Sequence, residues 1–516
     1  MKTISIWSNQ WALSVLSAIL LSLSFPPFDA AILQFPAFLF LFRIAVITES
    51  KRQFIYFTYP SLVLWNLLTT YWLMMATVGG GVAAILANAL LMLIPLLLIR
   101  SVFRLEMNPI LASLLAASFW VGYEFMHHNW DLAWPWLTLG NGWSNLTGAI
   151  QYISVTGVWG ISFWVVFTSA LFFQYIEKQS RPVLQCAVLI FLAFPVLSVI
   201  SLQTVQQTDN DPIDVVIIQP NSDSYSSYGG HSSLEALLDK LLGMSEEALT
   251  PKTDVVIWPE NAIDSALSLN NTYFNRIKDS LAVWETDLIT GTGYVEYYNE
   301  NNKPAVTRER TDGTHYNVFN SAFHFKQDQN QNIYKKGRLV PIVERFPYVG
   351  FFQSLDRFGW VDWGAISGYG LGTSPTNFSI DGALTPALIC YDSVFPGWVR
   401  EFVNEGADFL TIITNDGWWG DSNGHTQHFA YARLRAIEHR RWIARAANNG
   451  ISGIISPDGS VQVATEYWTE DAFSFTIYGS DRPTLYTTYG DWFGWLMLLI
   501  SVSGAGLAVY THRRIS

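Results

Sequence analysis

Hydrophobic residues divide the chain into three zones that differ in the length of their apolar runs. Residues 1–203 alternate long apolar stretches with short polar joints, 204–485 combine short apolar runs with charges and turns, and 486–516 hold one more long stretch. A helix needs about 20 apolar residues to cross the hydrocarbon of a bilayer. We therefore predict about eight transmembrane helices, near residues 10–26, 29–48, 54–76, 80–101, 109–127, 157–176, 182–202 and 492–510.

The middle zone alternates short apolar runs with longer helical patterns. Short continuous apolar runs are typical of strands buried between layers, and we predict strands at 214–218, 254–258, 288–291, 318–323, 387–390 and 409–413. Helical patterns fall between or after several of them, for instance at Ser233–Ala248 and Thr426–Ala447. The predicted fold class is therefore an α-helical polytopic membrane bundle plus a layered α/β domain.

Basic residues lie at alternate joints between the predicted spans. Lysine and arginine near membrane helices face the cytoplasm by the positive-inside rule, and a single topology accommodates Lys2, Lys51, Arg52, Arg100, Arg104, Lys178, Arg181, Arg513 and Arg514. In that topology the α/β domain, which lies between the seventh and eighth spans, faces outward.

Composition supports the membrane assignment and bears on possible partners. The 516 residues are 50% hydrophobic and only 14% charged, and they include 22 Trp, which is unlike a simple cytosolic enzyme. The net charge is −12 and no dense basic patch is present, so we expect no nucleic-acid partner.

Two cysteines lie in different zones and are not expected to pair. Cys186 falls in the seventh predicted span, whereas Cys390 follows the apolar run 387–389 in the outer domain. An unpaired thiol in an exported domain is unusual and suggests reactivity. A lone cysteine is more often a buried small hydrophobe, so the surroundings of Cys390 decide between the two.

Candidate partners for Cys390 lie near the ends of predicted strands, where α/β sheets gather their functional loops. A free thiol is mostly protonated at neutral pH, so attack on an ester needs a base, and Glu260 can take the proton. The ammonium of Lys336 can stabilise the oxyanion that follows. Each residue also has an ordinary alternative, since Glu260 could be a solvated acid and Lys336 one of two adjacent surface lysines.

Three motifs resemble the nitrilase superfamily: Trp-Pro-Glu at 258–260, Tyr-x-Lys-x-x-Leu-Val-Pro at 334–341, and Cys-Tyr-acid at 390–392. Over nearly its full length the chain resembles the apolipoprotein N-acyltransferases of bacterial inner membranes, which carry such a domain between their seventh and eighth helices. Further segments resemble that family at 218–221, 415–420, 427–428, 447–452 and 484–492.

The resemblance implies fold, domains, location and partners. It implies a nitrilase-like αββα sandwich in the periplasm at 204–485, transmembrane helices 1–7 at 1–203, and helix 8 with a short cytoplasmic tail at 486–516. The expected reaction moves an acyl chain from a membrane phospholipid, through a thioester, to the α-amine of the N-terminal diacylglyceryl-cysteine of an apolipoprotein. We expect a monomer that requires no cofactor.

The resemblance also implies the site residues. Glu260, Lys336 and Cys390 form the expected catalytic triad, with support from Glu344, Tyr391 and Asp392. The family usually has Glu two residues after the nucleophile, where this chain has Asp392, and its Val-Pro-Phe-Gly-Glu segment is Val-Pro-Ile-Val-Glu here. Both departures keep the acid, so they affect fine geometry more than reaction class.

Four aromatic residues are candidates for substrate contact: Tyr225, Tyr228, Trp136 and Trp418. Trp136 belongs to a Trp- and Pro-rich joint at 129–137, for which anchoring at the membrane interface is the alternative role. His425 and His428 have a spacing that metal ligands on a helix can use, but no further ligand set accompanies them in the sequence, so no metal site is predicted.

Two other functions remain open from sequence. A membrane-anchored nitrilase-like amidase or hydrolase would release the acyl group to water, and a non-catalytic membrane binding protein would retain only the fold. The acceptor of the acyl group distinguishes a hydrolase from a transferase, because a hydrolase uses water whereas sustained transfer needs an amine. Substitution of Cys390 by Ser tests the binding-protein alternative, because loss of turnover in a folded variant would show that the protein is an enzyme.

Overall fold

The computed structural model describes residues 6–203, 212–266, 271–326, 331–356 and 359–515. Lys2 lies outside them. The chain forms two compact units. The first, which we call the helical unit, comprises Met1–Gln206, Ser422–Glu438 and Thr484–Ser516. The second, the sheet unit, comprises Gln207–Asp421 and His439–Pro483. The segment 422–438 is thus part of the helical unit although it lies between strands of the sheet unit.

The described residues form α helices and β strands throughout the chain. The helices are α1 (Gln10–Leu23), α2 (Gln34–Ile47), α3 (Lys51–Thr70), α4 (Leu73–Ala76), α5 (Val78–Phe103), α6 (Pro109–His127), α7 (Ile153–Thr156), α8 (Trp159–Lys178), α9 (Arg181–Gln203), α10 (Leu234–Ala248), α11 (Asn271–Trp284), α12 (Val349–Leu355), α13 (Trp363–Ile366), α14 (Pro396–Asn404), α15 (Asn423–His439), α16 (Leu485–Tyr489) and α17 (Trp492–Ile515). The strands are β1 (Pro212–Gln219), β2 (Val255–Ile257), β3 (Ile263–Ala266), β4 (Asp287–Tyr298), β5 (Arg308–Glu309), β6 (His315–Phe325), β7 (Gln331–Lys335), β8 (Asn377–Ile380), β9 (Ala383–Ile389), β10 (Leu410–Thr414), β11 (Ile443–Ala447), β12 (Gly453–Ile455), β13 (Val461–Ala464) and β14 (Asp471–Tyr478).

Helices occupy the N-terminal zone where the hydropathy pattern predicts them. Among the described residues, α5, α6, α8 and α9 are long and apolar enough to cross a membrane, and shorter apolar helices lie at Gln10–Leu23, Ala31–Ile47 and Trp492–Gly506. The stretch predicted as one span at 54–76 forms two helices, because α3 ends at Thr70 and α4 begins at Leu73.

Aromatic side chains fill the core of the helical unit. Trp120 contacts Phe38 edge-on at a ring-centroid distance of 5.0 Å, and Trp143 contacts Trp164 at 4.8 Å. All four rings are buried. Large rings bury much apolar area and gain further stability from edge-to-face contact, which explains why so many tryptophans lie in this half of the chain.

One polar side chain, that of Gln427 in α15, ties together several parts of the helical unit. Its Oε1 accepts hydrogen bonds from the indole N–H groups of Trp72 at 3.2 Å and Trp136 at 2.7 Å. Its Nε2 donates to the carbonyl oxygens of Pro26 and Thr69, both at 3.1 Å. Gln427 is fully buried, so these four bonds satisfy an amide that would otherwise destabilise the core.

The sheet unit contains two mixed sheets. One has the strand order β14-β1-β2-β4-β6-β5, with β3 beside β4 and β7 beside β6, and the other has the order β13-β12-β11-β10-β9-β8. The strands β1, β2 and β4 run parallel, as do β9, β10 and β11. Because β1 lies against β11 and β6 against β9, the sheets pack face to face, as the predicted sandwich requires.

Each predicted apolar run falls on a strand, but several strands, among them β3, β7, β8 and β14, lie outside the predicted runs, and one predicted helix is too long. Thr426–Ala447 was expected to be helical throughout, whereas α15 ends at His439 and Ile443–Ala447 is strand β11. Arg440 has a φ of 53°, a left-handed conformation that terminates a helix. Five backbone positions of β11 then pair with β10, so tertiary pairing outweighs the helical propensity of the alanines.

Replacing Gln427 by Leu should destabilise the helical unit. The substitution removes the partner of two indole N–H groups and two carbonyls, and each buried polar group left unsatisfied costs about 1–3 kcal/mol. We expect the free energy of unfolding to fall by at least about 2 kcal/mol, seen as a lower melting temperature of the detergent-purified protein. Gln331→Leu, at an exposed strand position, is the control. Equal melting of both variants would contradict the stabilising role of the four bonds.

Candidate active site

Glu260 lies just after β2 and is almost completely buried. Its Oε1 accepts hydrogen bonds from Asn320 Nδ2 at 2.7 Å and Lys336 Nζ at 3.3 Å, and its Oε2 accepts one from the backbone N–H of Asn415 at 2.9 Å. The backbone of Glu260 lies against Gly291 of β4, where an added Cβ would be only 2.5 Å from the Cα of Glu260. A glycine at 291 therefore permits the approach that places this carboxylate.

Lys336 follows β7 directly, and its side chain is 1% exposed. The ammonium donates to Glu344 Oε1 at 2.8 Å and to Glu260 Oε1 at 3.3 Å, so it bridges two carboxylates. The neighbouring Lys335 points elsewhere and pairs with Glu296 at 2.8 Å, half-buried. The two adjacent lysines thus have different environments, and Lys336, which the Tyr-x-Lys motif singles out, is the buried one.

Glu344 is fixed at both carboxylate oxygens. Its Oε1 accepts from Lys336 and, at 3.3 Å, from Asn320 Nδ2, while its Oε2 accepts from the backbone N–H of Val340 at 2.7 Å. The structure therefore brings Glu344 to the same ammonium as Glu260. Asn320, on β6, contacts both carboxylates and was not singled out in the sequence.

Cys390 lies at the sharp turn that follows β9. Its φ is 47°, in the left-handed region that residues with a side chain rarely adopt, and the residues 390–394 form a 3₁₀ turn. Strained backbone of this kind is concentrated at functional sites. Tyr391, next in the turn, is buried and packs edge-on against Phe395 at 5.0 Å.

Asp392 fastens the turn that carries Cys390. Its Oδ2 accepts from the Tyr334 hydroxyl at 2.9 Å and from the backbone N–H of Ile389 at 3.1 Å, and its Oδ1 accepts from the backbone N–H of Arg338 at 2.7 Å. Burial raises the pKa of Asp392 to about 6, with these hydrogen bonds and Lys336 opposing the rise. Asp392 thus connects the turn at Cys390–Val394 to the end of β7 and the residues that follow it.

The electrostatic setting favours a neutral thiol beside a charged ammonium. Burial raises the pKa of Cys390 well above its ordinary value, and the carboxylates of Glu260 and Asp416 raise it further against the effect of Lys336. Burial also raises the pKa of Glu260, against the opposing effect of Lys336. Burial alone would lower the pKa of Lys336, but attraction to Glu260 and Glu344 outweighs it and leaves that pKa well above the ordinary value.

The loop after β10 adds groups that the sequence did not assign to the site. The Asn415 N–H binds Glu260, and a carboxylate oxygen of Asp416 lies within 4.8 Å of the Cys390 sulfur. The segment 415–420 carries the family-like pattern, which is the only sequence signal that could have pointed to these two residues.

The predicted substrate residues fall in both units. In the sheet unit, the Tyr225 hydroxyl donates to the Trp418 carbonyl at 2.8 Å, and the two rings meet edge-on at 5.2 Å with both side chains exposed. Tyr228 is also exposed, in a turn next to them. In the helical unit, Trp136 is buried beside Gln427. Substrate contact stays a prediction for all four residues.

Two family descriptions match the sequence. Residues 17–171 match "Apolipoprotein N-acyltransferase N-terminal domain", and residues 215–480 match "Carbon-nitrogen hydrolase". The chain is 32% identical to an apolipoprotein N-acyltransferase of Chlorobaculum tepidum, over 94% of this chain and 93% of that protein. It is 26% identical to one of Thermotoga maritima, over 95% and 92%. A solved CN-hydrolase superfamily protein, XC1258 of Xanthomonas campestris, aligns at 18% identity and a TM-score of 0.37, covering 52% of this chain and 91% of that one.

Substitution of Asp392 by Ala should loosen the turn at Cys390–Val394. It removes the acceptor of three donors that converge on a fully buried carboxylate, and each donor left unsatisfied costs about 1–3 kcal/mol. We expect the free energy of unfolding to fall by at least about 2 kcal/mol, measured by thermal denaturation of the full chain. Asp279→Ala, on the exposed side of α11, should melt like wild type. A fully stable Asp392→Ala protein would contradict the fastening role.

Proposed function

Because the chain belongs to the apolipoprotein N-acyltransferase family, we propose that Glu260, Lys336 and Cys390 carry the N-acylation of lipoproteins that this family performs. Lipoprotein N-acylation is the function of the chain. The observation that supports these three residues is the buried ammonium of Lys336, which bridges Glu260 and Glu344 within electrostatic reach of Cys390. A buried base, a cation and a thiol together supply what acyl transfer through a thioester requires.

The first half of the reaction transfers an acyl chain from a membrane phospholipid to the enzyme. The Cys390 sulfur attacks the ester carbonyl carbon while Glu260 takes the thiol proton, so no free thiolate is needed at rest. Lys336 stabilises the resulting oxyanion, an effect worth about 3 kcal/mol for one well-placed donor. Collapse breaks the ester C–O bond, and Glu260 returns the proton to the departing glycerol oxygen. A lysophospholipid leaves, and the acyl group remains on Cys390 as a thioester.

The second half passes the acyl group to the acceptor. The α-amine of a diacylated N-terminal cysteine attacks the thioester carbonyl, and Glu260 accepts an amine proton. The C–S bond then breaks, the sulfur regains a proton, and the product is an amide. Glu344 supports both halves of the reaction by holding Lys336 in its charged form. When Glu260 takes up a proton, Glu344 still pairs with the buried ammonium, which would otherwise lack a negative partner.

The proposed topology has eight transmembrane helices, with the sheet unit in the periplasm of a bacterial inner membrane. Its support is the four helices α5, α6, α8 and α9, the shorter apolar helices in the regions of α1, α2 and α17, and the basic residues at alternate joints. The eighth span of the proposal is α3. The acyl donor and the lipid-modified acceptor are both membrane-bound, which accounts for a catalytic domain joined to a helical bundle.

Cysteine labelling on intact cells tests this orientation. In a chain carrying Cys186→Ala and Cys390→Ser, a cysteine placed at the exposed Gln331 should react with a membrane-impermeant maleimide before lysis. A cysteine placed at the exposed Arg52 should react only after permeabilisation. The reverse pattern would exclude the proposed topology.

Intact mass spectrometry of the purified protein tests the thioester. After incubation with phospholipid, wild type and Cys186→Ser should gain the mass of one acyl chain, and Cys390→Ser should not. Glu260→Gln should slow the gain by about 10²–10⁴-fold, the usual contribution of a general base. Adding a diacylated lipopeptide should remove the acyl group and yield a triacylated peptide.

Two outcomes would contradict the proposal. Loss of the acyl group at the same rate without lipopeptide would indicate a hydrolase. No mass gain on folded wild-type protein would exclude the thioester and favour a non-catalytic binding protein. Circular dichroism of each variant shows that the fold is intact.

A further inference from the structure

Asp416, which has a carboxylate oxygen within 4.8 Å of the Cys390 sulfur, forms a buried ion pair with Arg445, and the reaction above uses neither residue. Asp416 follows β10, and Arg445 lies in the middle of the adjacent parallel strand β11, paired with Ile412. Arg445 Nη2 donates to Asp416 Oδ2 at 2.9 Å, and both side chains are 0% exposed. The pair belongs entirely to the sheet unit.

The carboxylate of Asp416 is held in one position. Its Oδ1 accepts from the Thr414 hydroxyl at 2.7 Å, and its Oδ2 accepts from Arg445. A Cβ on Gly450 would lie 2.5 Å from Oδ2, so the loop after β11 closes over the carboxylate. Arg445 is also anchored, since its Nε donates to the Ile451 carbonyl at 3.2 Å.

The fixed carboxylate lies close to the reacting sulfur. An oxygen of Asp416 is within 4.8 Å of Cys390 Sγ, and opposite or like charges interact strongly at this distance in a buried site. The carboxylates of Glu260, Glu344 and Asp416 all act on the thiol, with Lys336 acting in the opposite sense. Arg445 contacts this group through its ion pair with Asp416.

We propose that Asp416 and Arg445 are positioning residues that set the charge state of Cys390. The inference rests on the proposed role of Cys390 as the nucleophile. The negative charge of Asp416 keeps the resting thiol protonated, which protects it from unproductive reaction. Arg445 limits this effect, so that Glu260 can still withdraw the proton when an ester is bound.

The two charges act on the thiol in opposite directions, and this gives the inference a distinctive signature. Asp416→Asn leaves the cation in place and should favour the thiolate. Arg445→Met leaves the carboxylate uncompensated and should disfavour it. The double variant removes both charges and should lie near the parent. A role confined to packing would lower reactivity in both single variants.

Alkylation of the thiol measures this signature without substrate. In a Cys186→Ala background Cys390 is the only thiol of the chain, and its reaction with iodoacetamide at one fixed pH is followed by intact mass. We expect Asp416→Asn to react about tenfold faster than the parent and Arg445→Met about tenfold slower, the effect of one pKa unit on the reactive thiolate. The double variant should return to within about twofold of the parent. Asp279→Asn, at an exposed position, should react like the parent.

Several outcomes would overturn the inference. Slower alkylation in both single variants, unchanged alkylation in Arg445→Met, or failure of the double variant to recover would each do so. If Arg445→Met does not fold, Arg445→Lys replaces it, and its alkylation rate should equal that of the parent. In that case the alkylation rate of Asp416→Asn decides the inference: a faster rate supports it, and an unchanged or slower rate contradicts it. Alkylation needs neither phospholipid nor lipopeptide, so this result is independent of the thioester measurement. If no thioester forms but the alkylation rates change as expected, the proposed acyl-transfer role of Cys390 is contradicted, whereas the effect of Asp416 and Arg445 on the thiol is supported.

Discussion

The ammonium of Lys336, buried between two carboxylates, is the constraint around which the sheet unit is arranged. Removing an ammonium from water costs several kcal/mol, and that cost is offset only when partners are close and well oriented. Glu260 and Glu344 supply the charge, and Asn320 fixes both. The loop after β2, the end of β7 and the segment around Glu344 must therefore keep their relative positions, because displacement of any one would leave a buried charge without its partner.

The carboxylates that stabilise the ammonium of Lys336 have the opposite effect on ionisation of Cys390. A carboxylate cluster strong enough to hold Lys336 charged also opposes ionisation of the thiol, and the burial of Cys390 acts in the same direction. Under the proposed mechanism Cys390 is therefore neutral at rest, and Glu260 acts as a base only during attack. Asp392 has a different task from the other acids, since its hydrogen bonds go to the turn and to β7 rather than to the ammonium.

Sequence patterns predicted the parts of the molecule that depend on local periodicity and on motif order. Apolar runs gave the strands around Trp258, Cys390 and Thr414, and the order of the three motifs gave Glu260, Lys336 and Cys390. Asn320 and Arg445 could not be found in this way, because each lies inside an ordinary strand and matters only through a partner distant in sequence. The predicted helix 426–447 was too long for the same reason, since pairing of β11 with β10 is decided by tertiary contact. The Tyr-x-Lys motif distinguishes Lys336 from Lys335, but only the structure shows that Lys336 is buried and that Lys335 is half-buried beside Glu296.

The connection between β10 and β11 has a consequence for how the chain can be divided. These two strands are neighbours in one sheet, yet the chain between them passes through residues 422–438, which belong to the helical unit. A fragment containing only residues 207–483 would carry α15 without the residues that bind Gln427. Asp416 and Arg445 lie on either side of this segment in the sequence. The polypeptide thus has two compact units but no single boundary at which they can be separated. Neither unit can therefore be produced as one continuous stretch of the chain.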